Sequence, residues 1–268
     1  MTTEGSAMNA SELFKQGKMQ EAIETQLKLV KEKPADHGQR LFLFELLAFA
    51  GDLDRAQRQI DAVQYGELEL DAAVLAYRKL LDSERARRRL FSESLKPRFF
   101  GDPPEHVQWR LEGVNRLREG RPSEAAELLT KAAAACPDRP GQLNGKPFQS
   151  LRDCDDLFSG VLEVMAQGLY YWVPLDQVDS LTMNAPKTPR DLLWAPARLE
   201  MKESAGNVFL PLLYPGSHEN PDIQLKLGRM SGWKSAGEDG PVQGVGARVF
   251  LVDDDAVALQ EWRELTFA

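Results

Sequence analysis

The chain has 268 residues, which is enough for two hydrophobic cores because single domains usually hold ~100–150 residues. Its content of 43% hydrophobic and 28% charged residues is that of an ordinary globular protein. The net charge of −8 disfavours a surface that neutralises phosphates, so we expect no nucleic-acid partner.

The sequence shows no sign of export or of membrane insertion. Residues 1–8 lack a basic region and an apolar core, so we expect no signal peptide. The most apolar segment, residues 41–50, includes Glu45 and is much shorter than the ~20 residues that span a bilayer. Cys136 and Cys154 are the only cysteines, and their spacing matches no metal or redox motif. We expect reduced thiols in a cytoplasmic protein.

Glycines in the N-terminal half recur with the period of a helical hairpin repeat. Gly17, Gly51 and Gly120 lie 34 and 69 residues apart, and each is followed five residues later by an alanine. Tetratricopeptide repeats have a period of ~34 residues. Glycine accepts the left-handed conformation that ends a helix, and a small alanine lets the next helix pack closely. The pattern predicts a tetratricopeptide-like helical domain over residues 1–140.

The rest of this helical half is less regular. Residues 68–95 keep a helical pattern without the glycine, and four arginines fall within residues 85–89. We interpret this run as a solvated helix face, with a site for phosphate or an acidic partner as the alternative. The prolines and glycines of residues 96–104 predict a loop, and those of residues 137–147 predict a linker between domains.

The second domain, residues 141–268, is predicted to hold one helix and a β-rich region. Leu151, Phe158, Leu162 and Met165 recur at helical spacing. Short β-prone runs separated by turn residues follow at 170–173, 192–201, 208–214, 225–230 and 248–252. The fold class is therefore α+β, with a compact, mostly antiparallel β domain for which a barrel is one candidate form.

An acidic cluster formed by Asp153, Asp155 and Asp156, with Glu163 nearby, has two interpretations. In the first, these residues cap the predicted helix from its first turn, where carboxylates complement the helix dipole. In the second, they hold a metal ion or small ligand, and the chain is a binding or hydrolytic protein. A hard cation needs six or more oxygen ligands, and no second source of ligands is evident. We therefore favour the first interpretation and expect no metal.

Arg152 and Arg190 are the candidate partners of these carboxylates. A guanidinium binds a carboxylate through two parallel hydrogen bonds, which would clamp the predicted helix onto the β domain. Asp191 stands next to Arg190 and belongs to the same charged motif.

Four aromatic residues are candidates for either core packing or partner binding. Tyr170, Tyr171 and Trp172 lie in one predicted strand, and Trp194 begins another. Because side chains alternate along a strand, Tyr170 and Trp172 share one face and Tyr171 takes the other. We expect one face to be buried and the other to be available as an interface anchor.

The sequence offers few parts for catalysis. Its three histidines lie in unrelated contexts, and neither a nucleophile elbow nor a zinc-binding histidine pair is present. We therefore expect neither an enzyme nor a cofactor.

Four motifs resemble the ImpE family, also called TagJ or SciE. They are Arg-Asp-Cys-Asp-Asp at 152–156, Leu-Glu-Val at 162–164, Gly-Leu-Tyr-Tyr-Trp-Val-Pro at 168–174 and Arg-Asp-Leu-Leu-Trp-Ala-Pro at 190–196. The resemblance implies a non-enzymatic, cytoplasmic accessory protein of bacterial type VI secretion. It also implies binding to the N-terminal helix of the small sheath subunit TssB and assistance to sheath handling by the ClpV ATPase. The position of the binding groove, the oligomeric state and direct contact with the ATPase stay open.

Overall fold

The computed structural model describes residues 8–268, so residues 1–7, on which the signal-peptide expectation mainly rests, lie outside the described residues. Helices occupy the first half of the described chain. They are α1 (Ala10–Lys15), α2 (Met19–Glu32), α3 (His37–Phe49), α4 (Leu53–Asp61), α5 (Leu68–Ser92), α6 (Glu105–Arg118) and α7 (Pro122–Ala135).

Strands follow, interrupted by the short helix α8 (Ile223–Lys226). They are β1 (Gly141–Leu143), β2 (Lys146–Phe148), β3 (Leu151–Asp153), β4 (Val161–Ala166), β5 (Leu169–Pro174), β6 (Val178–Met183), β7 (Trp194–Met201), β8 (Ser204–Pro211), β9 (Ser231–Ser235), β10 (Val242–Gly246), β11 (Val249–Val252), β12 (Asp255–Ala258) and β13 (Glu264–Phe267).

Cα packing divides the chain into two compact units. The first ends at Leu81, and the second is Asp82–Ala268, which includes the end of α5, both α6 and α7, and all the strands. The change from helix to strand comes at Gly141, where the second predicted domain begins.

The predicted hairpin glycines lie between paired helices and adopt the same conformation. Gly17, Gly51 and Gly120 have φ values of 78°, 83° and 71°. In each turn the residue after the glycine donates a backbone hydrogen bond to the carbonyl five positions earlier, as from Arg121 to Arg116 at 2.9 Å. This 6→1 bond is the helix-ending motif that favours glycine. The predicted helical hairpins are therefore confirmed at these positions.

Small side chains fill the positions where the hairpin helices meet. Ala22, Ala56 and Ala125, the alanines that follow the three glycines, are all fully buried. The apolar segment of residues 41–50 forms most of α3, where Leu43 and Phe44 are also fully buried. Across the residues that the structure describes, no helix combines the length and the apolar character needed to cross a membrane.

An eight-stranded antiparallel sheet forms the centre of the second unit. Its strand order is β2-β1-β13-β6-β7-β8-β4-β5, so the sheet is open, with edges at β2 and β5. The α+β fold class is confirmed, and the barrel form is not adopted. A three-stranded sheet, β12-β11-β3, brings Phe250 into the core of the large sheet, where Trp262 is also fully buried.

The helix predicted over residues 151–165 is wrong. This segment forms β3, a 3₁₀ turn at Asp156–Phe158, and β4. Strand β4 is buried on both faces, from Val161 through Met165, so its apolar residues form a run instead of an alternation. The helix-capping role proposed for Asp153 is accordingly wrong, because Asp153 ends a strand.

The predicted loop at residues 96–104 is confirmed, and it lies against the edge of the large sheet. Arg98 accepts a hydrogen bond from the backbone of Trp172 and donates one to Tyr170, at 3.1 and 2.8 Å. Phe100 stacks on Tyr171 with ring centroids 4.4 Å apart. The loop therefore packs on β5.

Candidate functional site

Five buried ionisable side chains meet in the second unit. We call Arg87, Asp153, Asp155, Glu163 and Arg248 the charge network; none of them is more than 4% exposed. Transfer of a charge from water into a protein interior is costly unless the charge is paired and hydrogen-bonded. The geometry of the network therefore decides whether these groups stabilise the fold or are available to a ligand.

Glu163, in the middle of β4, lies at the centre of the charge network. Arg87 of α5 binds it through both carboxylate oxygens, with Nε–Oε1 and Nη2–Oε2 distances of 2.7 and 2.8 Å. Arg248 also contacts Oε2, and the Tyr170 hydroxyl donates to Oε1. Each oxygen therefore accepts two hydrogen bonds, which uses the acceptor capacity of a carboxylate.

Arg248 links Glu163 to Asp153. Its Nη1 lies 3.0 Å from Oδ2 of Asp153. Its guanidinium carbon lies 4.6 Å from the ring centroid of Phe158 and 5.0 Å from that of Tyr214, which places cationic charge against two aromatic rings. The Tyr214 hydroxyl also donates to Oδ1 of Asp153 at 2.7 Å. Charges thus alternate from Arg87 through Glu163 and Arg248 to Asp153.

Asp155 joins the 3₁₀ turn to strand β10. Its Oδ1 accepts from the backbone of Leu157 at 2.9 Å, and its Oδ2 accepts from the backbone of Gly244 at 2.8 Å. Asp156 accepts in the same way from Val242 at 2.7 Å. These two carboxylates therefore satisfy alternate amides on the edge of β10 that faces away from β9.

Burial shifts the protonation equilibria of the network. Burial, and next the charge of Asp153, raises the pKa of Asp155 to about 7, against the hydrogen bond from Gly244. Burial also raises the pKa of Asp153, although Arg248 opposes the shift. Burial lowers the pKa of Arg248 to about 10, which leaves it cationic at neutral pH. The pKa of Tyr170 is raised by burial, so its hydroxyl keeps the proton that it donates to Glu163.

Several predicted site residues come together here. Asp153, Asp155 and Glu163 are network members, and Tyr170 contacts Glu163 directly. The Trp172 indole donates to the Tyr170 hydroxyl at 2.6 Å. Tyr170 and Trp172 are buried on one face of β5, and Tyr171 takes the other face, which confirms the predicted alternation. That second face is covered as well, because Val173 is fully buried and Tyr171 packs on the hydrophobic core, so it is not the exposed face that we expected.

The remaining predicted residues lie outside the network. Arg152 is exposed on β3, and Arg190 lies in the 3₁₀ turn Pro189–Leu192. The clamp predicted from these two arginines is wrong, because Arg248 and Arg87 pair with Asp153 and Glu163.

Asp191 and Trp194 take local roles near the network. Asp191 accepts backbone hydrogen bonds from Lys187 and Thr188, both at 2.9 Å, and so closes its own turn. Trp194 is buried, and its indole nitrogen lies 3.4 Å from a carboxylate oxygen of Glu84 on α5.

Sequence reasoning missed both network arginines. Arg87 belongs to the arginine run that we interpreted as a solvated face. It lies seven residues after Leu80 and three before Leu90, both of which are 2% exposed, so helical periodicity places it on the buried side of α5. Arg248 directly precedes the apolar strand β11, and only that position hinted at its burial.

The network has the geometry of internal ion pairing. Arg248 lies between the carboxylates of Asp153 and Glu163, where a metal ion would have to bind to reach both. Among residues 8–268, no group of three or more His, Cys, Asp and Glu side chains is arranged to hold a metal ion. The ion pairs thus leave the metal-binding or hydrolytic interpretation without geometric support.

These features define an α+β protein whose helical hairpins precede an open antiparallel sheet, with a buried arginine–carboxylate network against that sheet. A family model described as ImpE protein matches residues 145–266. The type VI secretion system accessory component TagJ of Pseudomonas aeruginosa PAO1 is 36% identical over 264 residues, which cover 97% of this chain and 92% of that relative. The chain belongs to the ImpE family.

The fold also occurs in a solved structure. The crystal structure of protein VPA1032 from Vibrio parahaemolyticus matches with a TM-score of 0.87 over 97% of both chains. At 21% sequence identity, this likeness shows a shared fold alone.

Proposed function

We propose that this chain is a non-enzymatic accessory component of a type VI secretion system and that it acts in the cytoplasm by binding other proteins of the system. The observation that carries this proposal is the 36% identity to TagJ over 97% of the chain. Identity at that level along the whole length favours a shared role as well as a shared fold.

The chemistry of the second unit agrees with a binding role. The carboxylates of Asp153 and Glu163 are engaged by arginines, and those of Asp155 and Asp156 by backbone amides. A reaction would need an acid, base or nucleophile that is free to change partners beside a substrate. The network instead holds α5, β3 and β4 together.

The partner in this proposal is the small sheath subunit TssB, bound through its N-terminal helix, as the family resemblance implies. Proteins commonly hold amphipathic helices by placing their apolar side chains in a groove. Through the same contact the chain would assist sheath handling by the ClpV ATPase.

Co-purification tests the helix-binding mode. The tagged chain is incubated with the cognate sheath subunit, either full-length or without its first helix. We expect capture of the full-length subunit only. Equal capture of both forms would contradict binding through that helix.

A second arm addresses the ATPase. ClpV is added to the tagged chain with and without the sheath subunit. We expect ClpV to be retained only when the sheath subunit is present. Retention of ClpV without it would show direct contact and would require a different account of how the chain assists the ATPase.

A further inference from the structure

The first turns of α5, which belong to the first unit, carry an apolar stripe that faces solvent. Leu68 and Leu75 are 88% and 47% exposed, and Ala72 between them is exposed as well. The other side of these turns is covered, because Val74 is only 4% exposed. The core of the first unit therefore uses Val74 and leaves the stripe on the surface.

The spacing of the stripe is that of a contact between helices. Residues 68, 72, 75 and 79 follow one another at intervals of four, three and four, which places them on one side of α5. Single exposed apolar side chains are ordinary on protein surfaces, whereas this spacing is typical of the seam between two packed helices. The stripe ends at the exposed Lys79, whose aliphatic stem extends the apolar surface.

Charge along the stripe is self-complementary. Glu67 and Glu69 are exposed at its start, and Lys79 is exposed at its end. In an antiparallel pair of identical helices, Lys79 of each copy lies beside Glu69 of the other, so opposite charges meet at both ends. A parallel pair would place like charges side by side. Charges that flank a helix seam select the partner and its orientation, and here they select an antiparallel second copy.

The apolar side chains fit the same arrangement. When Leu75 lies against Ala72 of the second copy, a large side chain meets a small one. The two-fold symmetry of such a pair repeats this contact on the other side of the axis. In the same register Leu68 lies against the aliphatic stem of Lys79 of the second copy. Shape and charge thus agree on one register, with the two-fold axis between residues 73 and 74.

We propose that two copies of this chain associate through antiparallel pairing of the first three turns of α5. Each copy contributes far less than the ~800 Å² that a partner buries in a stable interface, so the dimer is weak and forms at high micromolar concentration. Self-association goes beyond the proposed function and requires no other protein. Each dimer presents every other binding surface twice, which increases avidity for a partner built of repeated subunits.

Sedimentation velocity of the full chain over a range of concentrations measures the Kd of the dimer. Leu75→Glu places a carboxylate in the centre of the seam of each copy. The matched control is Leu70→Glu, the same substitution on the same helix at a leucine that is 42% exposed and lies off the stripe. We expect Leu75→Glu to raise the Kd at least about tenfold, because two charges lose water at the seam, and Leu70→Glu to behave as the wild type does. Circular dichroism checks that each variant folds.

Charge reversal tests both the register and the identity of the partner. Glu69→Lys and Lys79→Glu each bring like charges together at both ends, so each variant alone should dimerise about tenfold more weakly than the wild type. An equimolar mixture of the two variants should regain the wild-type Kd, because opposite charges then meet at both ends of the mixed dimer.

Two outcomes would overturn the proposal, and both leave the proposed function untouched. A wild-type chain that stays monomeric up to millimolar concentration does not pair through α5. A dimer whose Kd is insensitive to Leu75→Glu and to both charge reversals associates through a different surface. If Leu75→Glu does not fold, the charge reversals at the exposed Glu69 and Lys79, alone and mixed, still decide the question.

Discussion

At the scale of single residues, Glu163 has the largest expected effect on stability. It is 1% exposed and accepts hydrogen bonds from Arg87, Arg248 and Tyr170. Its removal leaves two buried guanidinium groups without their shared counter-charge. Breaking a buried ion pair by removing one partner costs more than the pair itself contributes, since the remaining charge stays desolvated.

The first prediction is that Glu163→Gln lowers the free energy of unfolding by about 3–5 kcal/mol. Urea denaturation followed by circular dichroism measures this change. The matched control is Glu200→Gln, because Glu200 also pairs with an arginine, Arg198, at 3.0 Å, yet both side chains are about half exposed. We expect little change in the control. Equal losses in the two variants would show that burial does not set the strength of these pairs.

The second prediction concerns Asp155 and pH. The pKa of Asp155 is raised to about 7 in the folded state, mainly by burial. Between pH ~4 and ~7 the folded protein holds a proton that the unfolded chain has released. Raising the pH through this window therefore lowers stability, by up to about 1.4 kcal/mol per pH unit for one proton.

Thermal unfolding of wild type and Asp155→Asn between pH 5 and pH 8 checks the sign. The pKa of Asp153 is also raised, but Asp153 is present in both proteins, so the difference between their curves reports Asp155. We expect the wild type to lose stability up to pH ~7 more steeply than the variant. Asp179→Asn, at an exposed position on β6, is the control substitution. Parallel curves for wild type and Asp155→Asn would contradict the raised pKa.

At this scale the sequence identified the carboxylates of the charge network but not Arg87. The carboxylates of Asp153, Asp155 and Glu163 were identifiable because acidic residues stand out in an apolar segment. Arg87 was not, because three other arginines surround it and only the helical phase relative to Leu80 and Leu90 distinguishes it. Pairing across 76 residues, as between Arg87 and Glu163, has no local signature at all.

At the scale of elements, the hairpin turns yield the third prediction. Gly120 has a φ of 71°, and a Cβ atom there would meet nothing within 4 Å. The cost of Gly120→Ala is therefore conformational alone, about 1 kcal/mol. Gly206 of β8 is the matched control, because it also has open space and lacks the left-handed conformation. Urea denaturation should show a loss for Gly120→Ala and none of that size for Gly206→Ala.

The elements also show where sequence patterns succeed and fail. Gly17, Gly51 and Gly120 marked their turns because a left-handed residue has a local requirement that glycine meets. Strand β4 was misread because both of its faces are buried, so the alternation that indicates a strand is absent. The spacing of Phe158, Leu162 and Met165 then mimicked a helix.

At the scale of the whole molecule, the helices before residue 141 supply parts of the second unit. Arg87 of α5 pairs with Glu163, and Arg110 of α6 donates to the backbone carbonyls of Asp156 and Leu157 at 2.9 and 3.3 Å. Arg110 is fully buried. The region matched by the family model, residues 145–266, therefore lacks two arginines that its own buried groups use.

Because residues after 141 rely on Arg87 and Arg110, the chain can be divided in two ways with different consequences. The change from helical to β-prone sequence patterns predicts domains at 1–140 and 141–268. Cα packing instead places the boundary between Leu81 and Asp82. A fragment of residues 141–268 would leave Glu163 without Arg87 and expose the apolar residues that α6 and α7 cover. We therefore propose that the cooperative unit of folding begins near residue 82.

The last prediction is that a fragment of residues 82–268 folds cooperatively and a fragment of residues 141–268 does not. Both are expressed separately and compared by urea denaturation and by proton NMR dispersion. Arg87→Ala in the longer fragment should lower its free energy of unfolding by about 3–5 kcal/mol, because Glu163 then stays buried without its bidentate partner. A shorter fragment with sharp cooperative unfolding would instead support the boundary at residue 140, and the arginines of α5 and α6 would then be dispensable to the sheet that they contact.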